Sequence, residues 1–279
     1  MSCPDCFKGH VHEGTPTGNI TKIHGRNTYV ALPPEGVDPK GIIVIIPDAF
    51  GWEFVNNRLL VDHYAILGSY TVYLPDFMDG KPAPLWLLDL MPKLTDNSSV
   101  WDTLRKPWYI SKIAYGAVPF FLSNRFGVAW PKILSFFQDL RAEEGATLPI
   151  GTAGFCWGGK PVLTLAHSDM VCTSNGRPLV DAVFTGHPSG VSLPDDVEKI
   201  TKPVSMAIGD KDMVMSMAQI DSVRNTWGNM SNEVPTEVVV YDGAGHGFCV
   251  RADAKNEKQD QQSRDAENQA IAWFGKHLK

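Results

Sequence analysis

The order of apolar runs and turns predicts an α/β fold, with a mostly parallel central sheet and helices on both of its faces. Three observations carry this. Residues 41–46, Gly-Ile-Ile-Val-Ile-Ile, form an unbroken β-branched run, the mark of a strand buried on both faces. A helically spaced segment over 53–67 and a second short run at 71–74 follow it, the strand–helix–strand order of a parallel sheet. A later apolar run, from Leu148, meets Gly154-Phe-Cys-Trp-Gly158 and is followed by residues with helical potential. That is the layout of a nucleophile elbow: strand, sharp turn, helix, with the reactive side chain on the turn.

The elements follow in order. Residues 1–18 hold Cys3, Cys6, His10 and His12 among Gly and Pro, and they predict an irregular arm lying on the domain. The Cys-x-x-Cys spacing to these histidines fits no common zinc finger and no second Cys pair follows, so no metal site is expected. Residues 19–32 alternate loosely, as an edge hairpin would. After the 41–46 strand and its Pro47-Asp48-Ala49-Phe50-Gly51 turn, Phe54, Leu59, Leu60, His63, Tyr64 and Leu67 mark a helix that Gly68 stops. Residues 79–130 break the rhythm with Pro82, Pro84, Pro92, Pro107 and Pro119 and with Trp86, Trp101, Trp108, Tyr109, Phe120, Phe121 and Phe126. They predict an insertion of short aromatic-rich helices, either a satellite core or a lid over a substrate pocket.

The rhythm then resumes. A helix over 132–144 carries Ile133, Leu134, Phe136, Phe137 and Leu140 on one face. Strands are predicted at 147–153, 181–185, 203–208 and 237–241, and helices at 157–167, around 217–227 and at 261–278. No internal repeat or domain break is visible, so the expectation is one domain over 1–279 with the 79–130 insertion inside it.

Composition narrows the function. With 43% hydrophobic and 20% charged residues, a chain of 279 residues is an ordinary globular one, able to bury a sizeable core. A net charge of −6 without any basic block argues against nucleic-acid binding. No apolar run approaches the roughly 18 residues of a membrane span, and the first residues lack the order of a secretory signal. Five cysteines at this density do not resemble a disulfide framework, which points to a reducing, cytosolic setting.

In a parallel sheet, ligands bind beyond the carboxyl ends of the strands. Four predicted strands end at Asp48, Cys156, Asp212 and His246. The last three run nucleophile, acid, base, the chain order of the α/β-hydrolase fold. Cys156 needs a base to become a thiolate, and His246 is the neutral-pH proton acceptor suitably placed. Asp212, preferred over Asp210, would hold the imidazole in one tautomer. The Trp157 N–H, directly after the nucleophile, and the Ala49 N–H, after the first buried strand, are the natural oxyanion donors. His187 also follows a strand but precedes the acid, so it is expected to line the pocket or cap a helix. Cys172 and Cys249 have no elbow around them and are read as packing thiols.

These residues resemble the dienelactone hydrolase family of α/β-hydrolases, particularly its fungal branch. The matching motifs are Asp48-Ala-Phe-Gly-Trp-Glu-Phe54, Asp62-His-Tyr64, Leu74-Pro-Asp-Phe77, Gly154-Phe-Cys-Trp-Gly-Gly159, Gly209-Asp-Lys-Asp212 and Gly245-His-Gly-Phe248. The resemblance implies cofactor-free cleavage of a small-molecule lactone or carboxylic ester through a thioester on Cys156, in a monomer or homodimer. It places Asp48, where bacterial members carry Glu, as the group that tunes the thiol. It implies Arg251 as one substrate-carboxylate ligand, with Lys81 where a second arginine is expected, and it groups Phe50 with the substrate-binding residues. The missing arginine and the long aromatic insertion suggest a larger or less acidic substrate than a small dienelactone. Two other readings stay open: a triad that performs lactonisation or rearrangement, and a thiol redox sensor or binding protein.

Overall fold

The computed structural model describes residues 4–95, 100–230 and 233–279; Cys3 lies outside them, as does the side chain of Trp101. The frame is an eight-stranded sheet of order β1-β2-β4-β3-β5-β6-β7-β8. Its strands are β1 (Asn19–Ile23), β2 (Arg26–Ala31), β3 (Ile42–Ile46), β4 (Thr71–Pro75), β5 (Ile150–Phe155), β6 (Ala182–Gly186), β7 (Val204–Gly209) and β8 (Thr236–Tyr241). From β4 to β8 all neighbours are parallel, and the β1–β2 hairpin adds antiparallel to β4. β1 is an exposed edge, as its loose alternation predicts, while every residue of β3, β5, β6 and β7 is buried.

Period-two geometry explains the two cores. On β3, Ile43 and Ile45 face one layer while Ile42, Val44 and Ile46 face the other. The first layer is closed by Leu60, Val61 and Tyr64 of α1 (Val55–Gly68) and by Ala270, Trp273 and Phe274 of the C-terminal helix (Glu257–His277). The second is closed by Ile133, Phe136, Phe137 and Leu140 of the helix Phe126–Ala142, by Val162 and Leu163 after the elbow, and by Ile220, Val223 and Trp227 of the helix Met217–Met230. Each large apolar side chain buried this way contributes about 1.5–3 kcal/mol, and that is why a strand such as β3 needs no polar residue.

Two local expectations are corrected. α1 ends through Ser69, which adopts φ +61° and donates its N–H to the Ala65 carbonyl, whereas Gly68 is the last helical residue. Gly68 is needed for space, because a Cβ there would meet the Tyr70 ring at 2.5 Å. The insertion is not a set of short helices. After α2 (Leu87–Thr95), α3 runs 24 residues from Val100 to Ser123, with Pro107 and Pro119 inside it, and α4 (Phe126–Ala142) begins six residues before the predicted 132 and holds Pro131. Each internal proline forfeits a helical hydrogen bond. Tertiary packing outweighs that loss: Phe120 joins Phe7 and Phe121 in an edge-on aromatic cluster with centroids 5.1–6.1 Å apart.

The register sets where chemistry can occur. Ile46 pairs with Gly154, Gly154 with Thr185, Gly186 with Ala207, and Gly209 with Tyr241. The carboxyl ends of β3, β5, β6, β7 and β8 are thereby level, and the loops after them converge on one rim.

Candidate active site

Cys156 sits at the tip of β5, with φ +50°, and opens a 3-10 turn (Cys156–Gly158) into α5 (Gly159–Leu165). A left-handed backbone at a non-glycine residue costs on the order of 1–3 kcal/mol, so the surroundings must enforce it. The flanking glycines do so by permitting contact. A Cβ on Gly154 would run into the Gly158 carbonyl and Val162, and a Cβ on Gly158 would run into the Ile46 carbonyl. The chain therefore folds back tightly enough to leave the Cys156 side chain at the rim.

Asp212 and His246 reach the same rim from the loops after β7 and β8. His246 Nδ1 lies 2.9 Å from Asp212 Oδ2, both side chains fully shielded. The other carboxylate oxygen accepts from the backbone N–H groups of Val214 (2.7 Å) and Met215 (3.2 Å), which fixes the acid's orientation. A carboxylate can only accept here, so Nδ1 carries the proton and Nε2 is the atom turned toward the thiol. The ring of His187 stands edge-on to His246 at 5.0 Å and is wholly buried, without a hydrogen bond on either nitrogen. Burial keeps His187 well below the usual histidine range, hence neutral. It buttresses the His246 ring; the cavity beside Cys156 is walled by other residues.

A second thiol was not expected in this place. The 3-10 turn Pro4–Phe7 buries Cys6 against Cys156, and the two sulfurs and a ring nitrogen of His246 all lie within 4.8 Å of one another. A hydrogen bond with Cys6 is the largest influence holding the Cys156 thiol well below its ordinary range; burial opposes it, and the charges of His246 and Arg251 reinforce it. Burial pulls His246 down, but the Cys156 thiolate and Asp212 outweigh it and hold the imidazole up at about 9. Both shifts favour charge separation between the Cys156 sulfur and the His246 ring. The sequence signals Cys6 only as part of a Cys-x-x-Cys arm, and nothing local says that the arm crosses the sheet's carboxyl end. Ser189, whose Oγ receives the Cys156 thiol at 3.9 Å and whose N–H donates to the Cys156 carbonyl, was equally invisible.

The remaining predicted residues are placed as follows. Ala49 and Trp157 stand at two turns near Cys156, the first after β3 and the second within the elbow. Asp48 makes no hydrogen bond to Cys156. Its carboxylate accepts from the Phe50 N–H (3.1 Å), Asn57 Nδ2 (3.0 Å) and Arg251 Nη1, in a fully buried ion pair. Burial pushes Asp48 up, and Arg251 opposes that. Arg251 also donates from Nε to the Lys8 carbonyl at 2.8 Å and lies over the Phe50 ring at 5.4 Å. Its charge acts on the thiolate from within the protein, and Phe50 is a buried partner of Phe7 and Phe54. Lys81 is exposed, and its backbone carbonyl accepts from Asn124.

A cavity of about 620 Å³ opens beside the elbow, walled by Cys6, Phe121, Leu122, Phe126, Trp157 and Ser189, with Lys160 and Arg125 at its margin. A larger recess of about 800 Å³ lies between the N-terminal arm, α1 and the C-terminal helix, and none of Cys156, Asp212 and His246 lines it. Those three residues are not among the smaller cavity's walls either, but their neighbours Cys6, Trp157 and Ser189 are, so the smaller cavity is the one that adjoins the site.

The fold and the site define an α/β-hydrolase-type enzyme with a thiol at the elbow. Comparison with known proteins carries this one step further. The model of the dienelactone hydrolase family matches residues 27–278, and the chain belongs to that family. Hydrolase pyvD of Aspergillus violaceofuscus is 24% identical over 98% of this chain and 96% of its own. A carboxymethylenebutenolidase homolog of Mus musculus is 26% identical over 99% and 97%. Among solved structures, one from Klebsiella pneumoniae aligns with a TM-score of 0.64 at 18% identity, over 94% of this chain and 99% of the other. Dienelactone hydrolase from Anabaena variabilis aligns at 0.57 and 12%, over 96% and 100%. Among the described residues no helix is long and apolar enough to cross a membrane.

Proposed function

We propose that the chain hydrolyses a lactone or carboxylic ester through a covalent thioester on Cys156, with His246 as acid and base and Asp212 as its orienting partner. The Cys156 thiolate attacks the carbonyl carbon. The oxyanion that forms is received by the N–H groups of Trp157 and Ala49, each donor contributing on the order of 10²–10³-fold. His246 Nε2 then protonates the departing alkoxide. In the second half-reaction it takes a proton from water, which attacks the thioester and releases the acid. No cofactor enters either half-reaction. Ser189 is placed to orient the thiol, and the buried Asp48–Arg251 pair supplies fixed positive charge behind it.

The observation that carries this reading is the Asp212–His246 hydrogen bond, with the thiol of a strained elbow within 4.8 Å of that imidazole. The cavity's walls support a largely apolar, aryl-sized acyl or alcohol portion, and Arg125 at the margin favours a negative charge at its far end, whereas the Lys160 charge is taken up by Asp196 at 2.8 Å. Val118, Phe121 and Leu122 of α3 and Phe126 and Ala129 of α4 serve as the apolar wall over that space.

The test is turnover of an activated aryl ester by the wild type, Cys156→Ala and Cys172→Ala. Activity lost in the first variant and kept in the second supports the reading; equal activity in the Cys156 variant overturns it. Labelled water separates hydrolysis from ring closure or rearrangement, since only hydrolysis places the label in the acid product.

A further inference from the structure

Cys6 takes no chemical step in the proposed reaction, yet it is buried against the two groups that do. We propose that Cys6, Cys156 and His246 together bind a thiophilic divalent cation, Zn²⁺, and that its occupancy switches the site off; this last part rests on the reading of Cys156 and His246 given above.

Three observations lead to this. The first is spacing. Three soft or borderline donors lie within 4.8 Å of one another, all buried. Bonds of about 2.3 Å to sulfur and 2.0–2.1 Å to nitrogen place the donors of a tetrahedral zinc ion roughly 3.5–3.8 Å apart, so contraction by about 1 Å completes three corners. The second is an orphaned atom: His246 Nε2 is fully shielded and makes no hydrogen bond. The third lies behind it. Nδ1 is held by Asp212, itself held by two backbone N–H groups, which is the carboxylate–histidine support that orients an imidazole toward a metal.

Donor chemistry selects the ion. Two thiolates and an imidazole suit Zn²⁺, whereas Mg²⁺ and Ca²⁺ want oxygen. Cys6 also lines the adjoining cavity, from which water or a substrate oxygen would complete the shell. Protons carried by the ligands pass to solvent on binding. The bound ion then occupies the nucleophile's sulfur and the base's nitrogen at once, so neither half of acyl transfer can proceed until it leaves.

The experiment titrates the reduced, chelator-stripped full chain with Co²⁺, followed by competition with Zn²⁺. Expected are a thiolate-to-cobalt charge-transfer band with tetrahedral d–d bands, both bleached by one equivalent of Zn²⁺. Cys6→Ser and Cys6→Ala should each weaken Zn²⁺ binding at least tenfold, and Cys6→His, which restores a donor, should recover part of it. Cys172→Ser and Cys3→Ser should leave the spectrum and the affinity in place. Circular dichroism shows that each variant is folded. In the wild type, ester turnover should fall in proportion to occupancy and return with chelator, and Cys6→Ser, relative to its own zinc-free rate, should need at least tenfold more Zn²⁺ for half inhibition. Absence of the charge-transfer band, or equal affinity in the Cys6 variants, overturns the site. A protein that binds Zn²⁺ as described but turns over no ester keeps the metal site and discards the hydrolase reading.

Discussion

The indole Nε1 of Trp157 donates a hydrogen bond of 2.7 Å to the backbone carbonyl of Asn124. Trp157 follows Cys156, and Asn124 comes directly after α3, so this bond ties the elbow to the insertion. Asn124 extends the tie, donating to the Lys81 carbonyl at 2.7 Å and to the Phe120 carbonyl at 3.1 Å. The apolar wall is thereby held at a fixed distance from the thiol. Trp157→Phe keeps the ring's bulk but leaves the carbonyl unpaired, at about 1–2 kcal/mol. Thermal unfolding should drop by a few degrees, with KM rising more than kcat falls. An unchanged KM would show that the wall is placed by other contacts.

Asp212→Asn should lower kcat by on the order of 10³–10⁴-fold while the fold persists, because an amide no longer selects the Nδ1–H tautomer of His246. Circular dichroism and steady-state kinetics check this together. A loss of under tenfold would make Asp212 a structural partner only.

The pH profile follows from the two shifted groups. The imidazolium of His246 persists up to about 9 because the Cys156 thiolate and Asp212 favour it over the opposition of burial. The thiol is shifted the other way, so its ionised form persists to well below the ordinary cysteine range. Activity needs thiolate and imidazolium together. The profile of kcat/KM should therefore rise at low pH with the thiol and fall through pH 9 as the imidazolium loses its proton. These limbs belong to the pair. His246→Ala should move the thiolate absorbance of Cys156 part of the way toward ordinary values, with Cys6 and Arg251 holding the remainder of the shift; no movement at all in that variant would contradict the pairing.

Gly158→Ala should fail to reach the native fold or should lose more than about 3 kcal/mol, because its Cβ would press on the Ile46 carbonyl, which is backbone and cannot move aside. Urea unfolding decides it. Little change would mean that the elbow relaxes more than its contacts suggest.

Asp48→Asn should destabilise by about 3–5 kcal/mol, since it leaves the Arg251 guanidinium charged and unmatched in a site with no water access. Denaturant unfolding reads the loss. A change below 1 kcal/mol would show that the other contacts of Arg251 suffice.

Much of this was legible in the chain itself. β3 announces its two-faced burial as five consecutive β-branched residues, and the elbow announces itself by two glycines that leave room for backbone at close range. Asp212 and His246 follow from chain order and strand ends. What stayed hidden depends on distant contacts. The prolines of α3 read as breaks because local propensity cannot weigh the aromatic cluster that offsets them. Cys6 read as part of a loose arm because its position is fixed by residues far along the chain. The His10 N–H donates to the Arg251 carbonyl at 3.0 Å, and Asn56 Nδ2 bridges the His10 and Val250 carbonyls at 2.9 and 2.8 Å. Arg251 carries a charge that a sequence reading assigns to substrate, whereas a buried Asp48 takes it up.

The most direct test of the central claim is mass spectrometry of the reduced protein quenched in acid during turnover of an activated ester. The account predicts one acyl group per chain, located on the peptide bearing Cys156, released by hydroxylamine and absent from Cys156→Ala. An acyl group on any other residue, or steady turnover by Cys156→Ala, would contradict it.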